Sequence, residues 1–434
     1  MHRTIPKAMQ KVLGETANQL AKDMGFVKRE RALSGSSFVA GLVFGWINDP
    51  SVSLAGLSQS IGNVETPIKR QSLEARFEQA ETNPFLKAVL AASLEANIQA
   101  FPAPNRLLDR FTAVELVDSS IVTLPNDCQA VWPGSGGYGN AALASLKLSV
   151  RFDLKRGRIS YLDLSPGRSH DTQALAHQAP LLAGSLRIAD LGYFSLKNLE
   201  AVAQQHAYYL TRYKQGTTVY SLQGEALDLA AFLPSERGQR LDCDVRLGQK
   251  QALTCRLVAE RVPNEVRDQR RQRLQETARR CQKAVSERSW ALAAWTLYLT
   301  NLPKTLATSA EILLLGRYRW QIELLFKLWK SDLHIDEWQS KKPQRILAEL
   351  YCKLIGAIIT HWLLLLACWH HPRRSLRQAM PTIRALAWQF ANSLGSLAAL
   401  RRACDALIRA LAKTTMDKSQ RRPCTFQLLA ALIP

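Results

Sequence analysis

Apolar residues follow two patterns along the chain, with a change near residue 110. Residues 1–110 show helical spacing and no run of strand alternation. SLAGLSQSIG (53–62) has the pattern of a short helix that stops at Gly62. Pro67 then opens a second, IKRQSLEARFEQA (68–80), in which Leu73 and Phe77 are spaced i, i+4. Lys69, Arg70 and Arg76 fall on its other faces. Two short helices around a glycine-containing turn, the second one basic, suit a helix-turn-helix-like DNA reader. They suit equally an ordinary helical bundle with a solvated basic face.

From residue 111 short runs of Val, Ile, Leu and Tyr predict strands. AVELVD (113–118) and IVTLP (121–125) come first, followed by a glycine-rich loop, WPGSGGYGN (132–140). LKLSVRFDL (146–154) and RISYLDLSPG (158–167), joined by Lys-Arg-Gly, predict a hairpin. DTQALAHQAPLL (171–182) and SLKNLEAVAQQ (195–205) read as helices, alternating with the strands SLRIAD (185–190) and HAYYLTRY (206–213). That succession predicts a mixed sheet of ribonuclease-H-like order. Residues 214–305 interrupt it with strand-like LDCDVRLG (241–248), LTCRLVAERV (253–262) and WTLYLTN (295–301), around a polar segment, 266–288, that carries eight Lys/Arg. Beyond 306 the chain is mostly helical. Its most apolar stretch, LIGAIITHWLLLLACW (354–369), is interrupted by His361 and is shorter than the roughly 20 residues of a membrane span, so it predicts a buried helix.

Charge changes the picture. The 57 Lys+Arg against 36 Asp+Glu leave a net +21, which calls for a polyanion. The eight cysteines form no CxxC pair, which argues against a disulfide framework or a zinc knuckle. The opening MHRTIPKAMQKVLGE lacks the apolar core of a signal peptide, so a cytoplasmic protein with no membrane partner is expected. Nucleic acid is then the expected polyanion.

Three acids stand where chemistry is plausible. Asp118 and Asp190 each end an apolar run, and strand ends in a mixed sheet can converge on one edge. Converging carboxylates repel unless a cation lies between them, and hard divalent cations take oxygen ligands. Singly, each is as well read as a cap or turn residue. The helical segment LLLGRYRWQIELLFKLWKSDLH (313–334) places Arg319, Glu323, Lys327 and Lys330 along one face. Ile322, Phe326, Trp329 and Leu333 make a second, apolar stripe. That face is either an acid flanked by phosphate-binding cations or a surface ion-pair lattice. His170-Asp171 and the Cys368–His371 run are weak metal candidates, because adjacent side chains rarely converge on one ion.

Together VELVDSSIVTLP, IADLGYFS, YYLTRYKQGT, LYLTNLP and RYRWQIELLFKLWKSDL resemble the DDE transposases of bacterial insertion sequences, in the IS-four-type group. That group carries a Tyr-Arg-Glu-Lys signature. Arg319, Glu323 and Lys330 match its spacing, whereas the tyrosine position falls on Gly316, with Tyr318 two residues later. The resemblance implies an α+β protein: a helical DNA-binding domain (1–110), a ribonuclease-H-like core (111–213), a β-rich insertion (214–305), the Glu helix of the core (306–345) and a helical dimerisation segment (346–434). It implies Asp118, Asp190 and Glu323 as catalytic metal ligands for Mg²⁺, with Mn²⁺ able to substitute. Arg319, Lys330 and Arg212 would meet DNA, and Trp295 would stack on a flipped base. Lys69, Arg70 and Arg76 would hold the inverted repeats. The implied reaction is cut-and-paste transposition through a hairpin, by a homodimer on double-stranded transposon ends and target DNA. A catalytically silent DNA-binding relative and a metal-dependent nuclease that cuts without joining remain the alternatives.

Overall fold

The computed structural model describes every residue except 29–32, 65–66, 102–104, 137–142, 236–239, 251, 372–373 and 415–434. Part of the glycine-rich loop, Cys424 and the end of the C-terminal segment therefore lie outside the described residues. Helices and a large sheet make a mixed α/β protein, and the chain divides into two compact units.

The first unit comprises Met1–Ala103, Ser119–Ser169 and Glu323–Pro434. It is mainly helical. Helix Gly35–Asn48 is apolar on nearly every face and is buried accordingly, with Ser34 and Ser37 closing a capping box at its start. It packs on helix Leu54–Val64 so closely that a Cβ on Gly41 would lie 2.6 Å from Ile61 Cα. Leu54–Val64 and Arg70–Glu78 correspond to the two short helices expected from the spacing, although the first continues through Gly62 to Val64 rather than stopping there, and Leu73 and Phe77 are fully buried.

The apolar stretch near residue 360 belongs to a longer helix than expected. Pro343–Cys368 runs for 26 residues, because buried Arg345, Glu349 and Lys353 extend it N-terminally. Arg345 pairs with Glu349, and Lys353 donates to the carbonyls of His334 and Glu337. By length and composition this helix could cross a membrane, but 94% of its most apolar window is buried inside the protein. His361 within it is buried and hydrogen-bonds through Nε2 to the Gly157 carbonyl at 2.6 Å. The expected hairpin is present as β2 (Ala144–Asp153) and β3 (Arg158–Pro166), antiparallel and turning at Gly157.

The second unit comprises Pro104–Asp118 and His170–Ile322. The two strands expected over 113–125 are one continuous strand, β1 (Val114–Leu124), divided between the units at Asp118 and Ser119. Ser119 and Ser120 read as a break, yet a half-exposed stretch of strand accommodates polar residues without ending. The other strands of this unit are β4 (Leu186–Ala189), β5 (Tyr208–Arg212), β6 (Val219–Tyr220), β7 (Ala226–Leu227), β8 (Arg240–Leu247), β9 (Leu253–Arg261) and β10 (Trp295–Thr300). Their order is β1-β4-β5-β10-β9-β8-β6-β7, with β1, β4 and β5 parallel and the rest antiparallel. The arginine-rich segment, expected only to be polar, forms helix Asn264–Arg280 with no buried residue.

Candidate active site

Parallel pairing of β1 with β4 ends at Val117 opposite Ala189. Asp118 and Asp190 directly follow these two residues, so register alone sets the two acids side by side where the strand pairing stops. Val114–Val117 and Leu186–Ala189 are buried, and exposure begins at the two aspartates. Asp118 therefore lies within a strand rather than at its end.

One guanidinium meets both acids. Arg319 donates from Nη1 to Asp118 Oδ2 at 3.1 Å, and its Nε lies 3.6 Å from Asp190 Oδ1. The Arg319 and Asp118 side chains are 20% and 14% exposed, against 42% for Asp190. A pair this shielded is screened less than a surface ion pair, and the guanidinium offsets the repulsion between the carboxylates.

Glu323 belongs to the first unit and lies in the first turn of helix Trp320–Leu333, four positions after Arg319. The helix dipole favours an acid there. The apolar stripe of this helix is buried as the periodicity requires: Ile322, Phe326, Trp329 and Leu333 are all in the core. Lys330 donates from Nζ to the Ile121 carbonyl at 2.7 Å. Among the described residues no group of three or more His, Cys, Asp or Glu side chains is arranged to hold a metal ion.

The remaining candidates separate. Lys69 and Arg70 are exposed at the start of helix Arg70–Glu78. Arg76 turns inward, donating to the Phe26 carbonyl at 2.8 Å and to Gln79, with its guanidinium over the Phe26 ring. Arg212 ends β5, exposed and opposite Tyr298 of β10. Trp295 starts β10, is 7% exposed and packs in the core with Leu257, Leu297 and Leu299. It also lines a cavity of about 400 Å³ with Arg212, Arg270 and Arg273. Periodicity could not single out Arg270, since helix Asn264–Arg280 has no apolar face to orient it.

Residues 110–359 match the family model described as Transposase DDE domain. That span holds all three acids. The chain belongs to the DDE transposases of insertion sequences. Over 374 residues it is 30% identical to the transposase for insertion sequence element IS231F of Bacillus thuringiensis subsp. israelensis, covering 80% of this chain and 76% of that one. The IS231B transposase of subsp. berliner is 29% identical over 79% of this chain and 75% of its own length. The IS1151 transposase of Clostridium perfringens is 24% identical over 79% and 76%.

Proposed function

We propose that this transposase binds the terminal inverted repeats of its element and performs metal-dependent DNA cleavage and strand transfer, by cut-and-paste through a hairpin. The observation that carries the reading is the β1–β4 register that sets Asp118 beside Asp190, with Arg319 bound to both. A strand order continuing β3-β2-β1 in the first unit and β1-β4-β5 in the second supports a ribonuclease-H-like core.

The donor set fits a hard divalent ion. Asp118 and Asp190 offer only oxygen and already share the positive charge of Arg319. In this reading Asp118, Asp190 and Glu323 hold Mg²⁺, or Mn²⁺ in its place. The chemistry such an ion would supply is activation of water and neutralisation of phosphodiester charge. Arg319, released from the aspartates, and Lys330 position phosphates by charge and hydrogen bonding. Their contribution is orientation: a 3′-OH left at the cut end has to be held in line with the next phosphodiester.

Lys69 and Arg70 hold the repeats through the N-terminal helices (1–110). Residues 111–213 and 306–345 form the core around the 214–305 insertion, and 346–434 joins two copies into a homodimer. Trp295 stacks on a base admitted to the cavity it lines, which offsets the cost of bending a DNA end into a hairpin. The test is incubation of protein, Mg²⁺ and DNA carrying the flanking inverted repeats, with the products mapped. Cleavage at the repeat ends followed by joining is expected. Cutting without joining would identify a nuclease, and end binding without cutting a silent relative.

A further inference from the structure

The cavity beside Trp295 has an unusual charge balance. Arg212, Arg270 and Arg273 line it, with Gln215, Ser289 and Thr296, and no carboxylate does. Arg270 is half-buried. It donates to the Trp295 carbonyl at 2.8 Å and to Thr296 Oγ1 at 3.0 Å, and among the described residues it has no acidic partner. A half-buried guanidinium with only neutral acceptors keeps charge available for an anion. Burial first, and then repulsion from Arg212, holds its pKa below the usual arginine value, with Tyr298 acting the other way.

Tyr298 does not line the cavity itself but adjoins Arg212, which does. In the sheet it is the direct cross-strand partner of Arg212, so both side chains leave the same face. Among the described residues its hydroxyl has no hydrogen-bond partner. Its ring lies against Gly316, where an added Cβ would run into Cζ and Oη of Tyr298. Glycine at 316 thus has a local cause: Tyr298 occupies the space that any side chain there would need. The residue that fills this space is a tyrosine from β10.

We propose that Arg212, Arg270 and the Tyr298 hydroxyl form one binding site for a DNA backbone phosphate, with Gly316 making the room the Tyr298 ring requires. This rests on the reading that the protein handles transposon ends. Two guanidiniums supply charge and the phenol supplies a donor that fixes where the phosphate sits. Tyr298 and Arg270 are positioning residues here, acting on DNA rather than on the reacting atoms.

The experiment titrates the full-length protein, without metal, into a fluorescein-labelled duplex carrying the flanking inverted repeat, across a KCl series. Arg270→Gln and Arg212→Gln are each expected to weaken binding and reduce the salt slope by about one, as loss of one phosphate contact does. Tyr298→Phe keeps the ring and removes only the donor, so affinity falls several-fold with the slope and melting temperature unchanged. Gly316→Ala, which displaces the ring, should lower affinity at least as much. If Tyr298→Phe binds like wild type, or if the slope is unchanged in the exposed Arg212→Gln variant, the phosphate site is wrong. If these variants weaken binding but wild type never cleaves in Mg²⁺, the site stands and the catalytic reading fails.

Discussion

Arg319 donates to Asp118 across 3.1 Å, linking a residue just before the Glu323 helix to one on β1. A guanidinium in that position competes with any cation for the same oxygens. Arg319→Ala should therefore bind Mn²⁺ about tenfold more tightly, worth about 1.4 kcal/mol, by calorimetry on the full chain. Cleavage should fall at the same time if, as proposed, Arg319 also positions phosphate. Unchanged Mn²⁺ affinity would show that Arg319 does not guard the aspartates.

Asp118→Ala, Asp190→Ala and Glu323→Ala should each bring cleavage below detection while end binding holds or rises. Each change removes an oxygen ligand and one negative charge from a protein of net charge +21. Near-normal cleavage in Mg²⁺ by any one of them would remove that acid from the triad.

The N-terminal cations should divide by function. The double variant Lys69→Ala/Arg70→Ala is expected to reduce the salt slope of end binding by about two. Arg76→Ala should leave the slope in place and lower the melting temperature, since Arg76 holds the Phe26 carbonyl and covers its ring. A slope that falls with Arg76→Ala and not with the double variant would reverse the assignment.

Trp295 lies both in the core and on the cavity wall, so two substitutions are needed. Trp295→Ala should cost about 3–5 kcal/mol of stability and depress every step together. Trp295→Phe retains most of the packing. If Trp295 stacks on a base, it should nick at the normal rate and form hairpins slowly. Equal slowing of nicking and hairpin formation in the Phe variant would leave only the packing role.

Stability should depend on pH through His361. Burial, partly opposed by its bond to the Gly157 carbonyl, holds its pKa below the usual 6.5. The unfolded chain then takes up a proton at a higher pH than the folded one. Its contribution is complete above pH 6.5 and declines as the pH falls toward the folded pKa, by up to about 1.4 kcal/mol per unit. His361→Gln should flatten that part of the melting-temperature profile; an identical acid slope in the variant would assign the effect to other groups.

Local pattern was enough for much of this protein. Strand alternation and helical spacing read out β2, β3, β4 and β5, the pair of short helices, the second one basic, and the buried stripe of the Glu323 helix, because each depends on neighbours a few positions away. Order along the chain sufficed to single out Asp118, Asp190 and Glu323 as candidates, and the excess of Lys and Arg pointed to a polyanion. Other features depend on register and packing between segments far apart in sequence. Parallel pairing that stops at Val117 and Ala189 sets the aspartates together, and Arg319 reaches them from about 130 or more positions away. Packing turns Arg76 inward although it sits on an apparently polar face. Only the contact between β10 and the segment around Gly316 explains a glycine at that position, because the tyrosine that fills its space comes from another strand.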